Sequence, residues 1–289
     1  MKAEMMQSLV KTLIPTVIRR PARGVLHFAE SVRSMWHRAR VQHKADAARP
    51  GDVLPCIGFK VRINDGPNFY VLYNDIVVRG IYRFTAMRPN PLILDCGSNI
   101  GMSILYFKHL YPDARIIGFE PDPAIVRYLR ENVSENRLHD VQVVQAAVGG
   151  KEGSLTFYSD GKYGSCLAHV AADGLPRGWA AHTVPCLKLR NYLVEPVDFL
   201  KMNIEGAEWE ALSDSGQRLQ LVNEMAIEYH HLPGLPRTLH RILGLLDELG
   251  FDYVVSDFDL ATYGGARLPL SLTSESSYFR HIYAKRRGR

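Results

Sequence analysis

Between Pro91 and Gly101 the chain reads PLILDCGSNIG. An apolar run leads into Asp95, a short loop carries Gly97, Asn99 and Gly101, and an apolar-periodic stretch follows. That is the pattern of a buried strand, a tight glycine turn and a helix start. It points to an α/β fold with a ligand site above a strand tip. Gly97 and Gly101 would let a nucleotide-like ligand lie close against bare backbone. A second strand, RIIGFEPD, comes about twenty residues later, the usual distance for a ribose-binding acid. It ends in Glu120, placed to accept hydrogen bonds from both hydroxyls of an adenosyl ribose. The loop is not G-x-G-x-x-G, and the Asp95 carboxylate would repel a pyrophosphate. It can instead anchor the ammonium group of a methionine moiety, directly or through water. The pair therefore favours S-adenosylmethionine over a dinucleotide as cofactor.

From residue 91 strand and helix patterns alternate, as in a mostly parallel sheet with helices on both faces. Strands are expected at Leu92–Cys96, Arg115–Phe119, Val141–Val148, Phe199–Ile204 and Glu224–Tyr229. Phe251–Ser256 and Tyr278–Ala284 are expected to form an antiparallel edge pair. Helices are expected over about 101–111, 123–136, 207–214 and 235–249, with Pro123 opening one and Gly250 stopping another. GSLTFYS and HTVPCLKL read as β excursions around a loop at 160–182. Tyr163, His169, Trp179 and His182 of that loop are expected to shape an acceptor pocket.

Three segments follow from this reading: a basic helical arm over 1–49, a small β or lid element over 50–90, and the cofactor-binding domain over 91–289. In 53–85 the Val, Ile, Tyr and Phe content and the turn signals Asp65-Gly66 and Asn74-Asp75 suggest short strands. The net charge of +5 belongs to the ends. Residues 1–49 hold ten Lys or Arg against three acidic residues, whereas 50–279 carries a net charge of −7. In the arm, Val25, Phe28, Val32, Met35 and Trp36 fall on one helical face with Arg33, Arg38 and Arg40 largely off it. Such a face can lie on an anionic membrane surface, cap the domain or join two subunits into a homo-oligomer. No apolar run is long enough for a transmembrane helix. Four cysteines without C-x-x-C spacing fit a reducing cytoplasm and argue against structural zinc. The acidic core lacks an aromatic-interleaved basic groove, so no nucleic-acid partner is expected.

The remaining polar residues gather at strand ends. Asp122 can touch adenine or cap the helix that Pro123 begins. Gln145 or Ala146 would lie beside the base. In DFLKMNIEGAEWEAL, the residues Lys201, Asn203 and Glu205 share one face by the strand period. In EMAIEYHHLP, Glu228 and His230 do the same, and a histidine there suits general-base work.

LILDCGSNIG, IGFEPDP, VVQAAVGG, DFLKMNIEGAEWEAL and the following E-Y-H together resemble the FkbM family of S-adenosylmethionine-dependent methyltransferases, over roughly residues 75–255. The resemblance implies a seven-stranded, class I Rossmann-like methyltransferase that methylates hydroxyl groups of sugars, glycans or natural products. It implies direct displacement, with His230 first and Glu205 second as base, and Lys201 orienting Glu205 or the acceptor. Tyr82, just before the core, would lid the cofactor or serve as an apolar packing residue. The family commonly has Asp where this chain has Asn203, which weakens any role there as base or metal ligand. No metal is expected; a divalent ion on Glu205, Glu228 and Asn203 is the alternative. A nucleotide-dependent oxidoreductase and a catalytically silent cofactor-binding module are the rival readings.

Overall fold

A computed structural model describes residues 35–161, 165–167, 178–256 and 276–288, the short piece 165–167 by its backbone alone. Tyr163 and His169, and the expected helices before residue 35, lie outside the described residues. The chain divides into two units, Met1–Ala47 and Ala48–Arg289. In the first, residues 35–47 form a helix that exposes Met35 and Trp36.

The second unit is built on a seven-stranded sheet in the order β12-β13-β11-β10-β3-β4-β5. Its strands are β3 (Leu92–Cys96), β4 (Arg115–Phe119), β5 (Val141–Val144), β10 (Val197–Met202), β11 (Val222–His231), β12 (Phe251–Val255) and β13 (Tyr278–Arg286). All pair in parallel except β13, which runs antiparallel between β11 and β12. Central strands β3 and β10 are buried at every position because helices cover both faces. On one face Leu92, Leu94, Leu200, Met202 and Met225 pack with Ala211 and Leu212 of α4 (Glu208–Ser215) and Ile242 and Leu246 of α5 (Leu239–Glu248). On the other, Phe107 of α2 (Met102–Leu110) meets Phe199 edge-on at 5.6 Å, and Phe84 stacks on Phe199 at 4.5 Å. From β3 the chain fills the sheet first toward β5 and later, through β10, toward β12. The crevice where the order reverses is where such sheets bind ligands.

Three expectations need correction. Residues 66–78 are not strands. Only β1 (Val53–Cys56) and β2 (Phe59–Arg62) form a hairpin, followed by α1 (Gly66–Leu72) and a π-helical turn, Tyr73–Val78. Asp65-Gly66 is a helix start and not a hairpin turn: the Asp65 side chain accepts the Asn68 N–H and Pro67 occupies the first turn. The strand expected over Val141–Val148 breaks at Gln145-Ala146. Its second half, β6 (Ala147–Gly149), joins a separate sheet, β6-β9-β7-β8, with β7 (Gly153–Ser159), β8 (Ser165–Leu167) and β9 (Ala180–Lys188). The fourth parallel strand ends at Met202, two residues early.

α3 (Pro123–Glu135) holds the β1–β2 hairpin in place. Asn132 accepts the Arg62 N–H at 2.6 Å and donates to Arg62 O and Ile100 O, while Asn136 exchanges hydrogen bonds with the Lys60 backbone. That strap delivers α1 to the crevice.

Candidate active site

A cavity of about 370 Å³ opens above the C-terminal ends of β3, β4, β10 and β11. α1 and the π turn contribute Asn68, Leu72 and Ile76, the second sheet contributes Leu155 and Phe157, and β13 contributes Phe279.

Glu120 lies just past the end of β4 and is buried. Its Oε2 accepts the Asn99 N–H at 2.8 Å and its Oε1 the Asp122 N–H at 2.9 Å. Each carboxylate oxygen can accept more than one hydrogen bond, so both retain capacity toward the cavity. Burial raises its pKa to about 7 against the opposing pull of the two N–H groups. Asn99, in left-handed conformation, turns its own Oδ1 to the Ile100 N–H at 2.8 Å. Asp122 lines the cavity but caps α3 through Ala124 N at 2.7 Å and accepts the Ser159 hydroxyl on its other oxygen.

Gly97 and Asn99 of the glycine loop line the cavity, and packing between strands also accounts for the glycines. The Gly97 and Ser98 N–H groups both donate to Phe119 O. Gly97 is bare because the Asn203 carbonyl approaches it, and Gly101 because Leu129 Cδ1 would stand 2.7 Å from its β-carbon. Gly101 is not part of the cavity wall. Nor does Asp95 reach the cavity: it is fully buried, with Oδ2 accepting the Ser103 hydroxyl at 2.6 Å and Oδ1 lying 3.1 Å from Lys201 Nζ. Lys201 in turn donates to Gly97 O and to Cys96 O at 3.2 Å and sits 5.6 Å from the centre of the Tyr82 ring. It clamps the loop and does not pair with Glu205. Tyr82 is a buried part of the wall. Ala146 lines the cavity, but Gln145 does not; its amide oxygen takes Arg130 of α3 at 3.4 Å.

Asn203, Glu205, Glu228 and His230 all meet at the opposite side of the cavity from α3. The strand period does not bring Asn203 and Glu205 there, since β10 has ended; a turn with Glu205 at φ 55° does. Asn203 Oδ1 is buried without a hydrogen-bond partner. His230 is enclosed by carboxylates: Nδ1 lies 3.1 Å from Glu208 Oε1, and Nε2 lies 3.5 Å from Glu228 Oε1 and 3.7 Å from Glu205 Oε2. Burial opposes the charged ring, but these neighbours outweigh it and raise the pKa well above the ordinary histidine value. The structure thus places His230 at the cavity, as expected, and its carboxylate neighbours favour the protonated ring. Glu228 is buried too, yet hydrogen bonds from His230 and from His281, at 3.0 Å across the β11–β13 pair, hold its pKa well below the usual carboxylate range. Burial raises Glu205, with the His230 charge opposing. Among the described residues, no group of three or more His, Cys, Asp or Glu is arranged to hold a metal.

Sequence reasoning missed Ser103, Ser159, His281 and Asn68. Glu208 alone had a signal, one turn beyond Glu205 at the start of α4. His231 falls on the other face of β11, against Tyr278 at 5.0 Å. Trp179 and His182 do not line the cavity.

Residues 95–253, a little over half of the chain, match the model of the methyltransferase FkbM domain. The chain is 33% identical over 216 residues to the 31-O-demethyl-FK506 methyltransferase FkbM of Streptomyces tacrolimicus, covering 63% of this chain and 82% of that protein. It is 29% identical over 213 residues to the methyltransferase sdnD of Sordaria araneosa, covering 63% and 81%. It is 24% identical over 158 residues to the 2-O-methyltransferase NoeI of Sinorhizobium fredii, covering 49% and 64%.

Proposed function

The chain belongs to the FkbM methyltransferase family, and we propose that it moves the methyl group of S-adenosylmethionine onto a hydroxyl of a sugar, glycan or natural product. One observation carries the cofactor half of this reading. Glu120 sits at the tip of β4 with each oxygen tied to one backbone N–H and still open to the cavity. Two acceptor oxygens side by side suit the two hydroxyls of a ribose.

The rest of the donor set fits the same cofactor. Asn203 Oδ1 is an acceptor in search of a donor, as an ammonium group would supply. Glu205 and Glu228 face the cavity, and the Lys201 cation beside it is already matched by Asp95. A surplus of carboxylates favours a cationic ligand and disfavours a pyrophosphate, which speaks against a dinucleotide oxidoreductase. When bound, the cofactor supplies a methyl carbon made electrophilic by its sulfonium.

The chain's own residues supply position and a proton acceptor. Glu205 is 37% exposed at the cavity and has a raised pKa, so it can take the acceptor's hydroxyl proton without being too weak a base. His230, whose pKa is raised by Glu205, Glu208 and Glu228 against burial, steadies the Glu205 carboxylate from behind. Leu72, Ile76 and Tyr82 keep water from the reacting centre. Two relatives are a 2-O-methyltransferase and a 31-O-demethyl-FK506 methyltransferase, which supports oxygen as the acceptor atom.

The test is incubation with methyl-labelled S-adenosylmethionine and hydroxyl-bearing acceptors, followed by mass spectrometry. Label in an ether methyl group, absent with Glu205→Gln, is the expected result. Label on nitrogen or carbon, or binding without transfer to any acceptor, overturns it.

A further inference from the structure

Asn68 stands in the first turn of α1 and is 3% exposed. Its backbone N–H is used, donating to Asp65 Oδ1 at 2.9 Å. Its side chain is not: neither the carboxamide oxygen nor the nitrogen has a hydrogen-bond partner. Native proteins rarely bury both ends of an amide unpaired. Asn68 is also one of the residues lining the cavity, so the unpaired amide points to a ligand there as its partner.

The surroundings say which part of a ligand. Asn64, just before the cap of α1, donates to Gly161 O at 3.4 Å, and Ser159 of β7 donates to Asp122 at the start of α3. The first turn of α1 therefore stands over the α3 and β7 side of the cavity, where Phe119, Ile125, Ala146 and Phe157 form apolar walls. Such walls suit a flat aromatic base. A carboxamide sets one donor beside one acceptor, the complement of an adenine edge with its amine next to a ring nitrogen.

We propose that Asn68 reads the adenine edge of the cofactor, donating to a ring nitrogen and accepting from the exocyclic amine. The inference rests on the S-adenosylmethionine reading and deepens it. It gives α1 and the π turn, which precede the family-matched residues 95–253, the task of closing the cofactor site and selecting its base.

The experiment is calorimetry on the full chain with S-adenosylhomocysteine and with S-inosylhomocysteine, whose base carries an oxo group in place of the amine. The proteins are wild type, Asn68→Ala and Asn68→Leu. Wild type is expected to prefer the adenosyl compound about ten- to a hundredfold, the discrimination of a bidentate pair. Both variants are expected to lose most of that preference. Because the amide is unpaired in the free protein, the variants should melt no lower than wild type without ligand, while the ligand-induced rise in melting temperature shrinks. If wild type binds neither compound, the cofactor reading itself falls. If wild type binds and the variants keep its preference, the Asn68 assignment falls alone. Equal weakening toward both compounds, or variants that melt lower when free, would also overturn it.

Discussion

A β-carbon built on Gly97 would stand 1.8 Å from the carbonyl oxygen of Asn203. The two residues lie just beyond the ends of β3 and β10, and Asn203 N donates to Cys96 O at 3.0 Å. The crevice floor is therefore a backbone-to-backbone contact between neighbouring strands. The glycine serves the strand junction before it serves any ligand.

Gly97→Ala should destabilise the fold. The obstacle is backbone and cannot swing aside, and φ of +84° is itself strained for alanine. Overpacking and strain together cost about 2–5 kcal/mol. Urea denaturation should show that loss; a midpoint equal to wild type would mean that the strand ends separate easily.

Lys201→Met should be as damaging for a different reason. Asp95 would remain fully buried without its cation, a loss of about 3–5 kcal/mol for a broken buried pair. Adding Asp95→Asn removes the stranded charge, so the double variant should recover part of the stability. A double-mutant cycle measures this. Strict additivity would show that the 3.1 Å approach carries no energy.

Much of this scaffold was legible because its signals are local. The largely apolar strands Leu92–Cys96 and Arg115–Phe119 read as central in a covered sheet, and Pro123 and Gly250 punctuate helices. The site was legible by position and not by role. Glu120 lies where strand order and spacing put it. Asp95 has the right place in the motif, but the pleat turns it toward Ser103 and Lys201, a long-range fact that no spacing encodes. His281 meets Glu228 through pairing between strands 53 residues apart. Asn68 was hidden by β-rich composition in a segment that Asp65 and Pro67 start as a helix.

Glu120 should make stability pH-dependent. Its folded pKa of about 7 lies above the ordinary 4.5 because burial disfavours the charge. The folded state then holds a proton that the unfolded state has released, so stability falls as pH rises through this window. The difference amounts to about 3 kcal/mol. Glu120→Gln should flatten the decline between pH 4.5 and 7. In the proposed reading, wild-type affinity for S-adenosylhomocysteine rises over the same window as the carboxylate ionises, and that of the variant does not. Parallel stability curves for the two proteins would contradict the assignment.

His230 is the point at which protonation state decides mechanism. Glu205, Glu208 and Glu228 surround it, and its pKa is raised well above 6.5. Its contribution to stability is therefore fully present below pH 6.5 and lost as pH rises through the higher folded value. Nitrogen NMR should find the ring still an imidazolium at neutral pH, and Glu208→Gln should bring its titration down. In the proposed reading the protonated ring leaves the proton of the acceptor to Glu205, the half-buried carboxylate within reach. Glu205→Gln should cut kcat about a hundred- to ten-thousandfold, the usual worth of a general base, with little change in affinity for S-adenosylhomocysteine. His230→Gln should shift the acid limb of the kcat profile, because Glu205 loses the neighbouring charge that lowers its pKa. A His230 ring that titrates near its ordinary value, together with a Glu205→Gln protein of wild-type kcat, would return the base to the histidine.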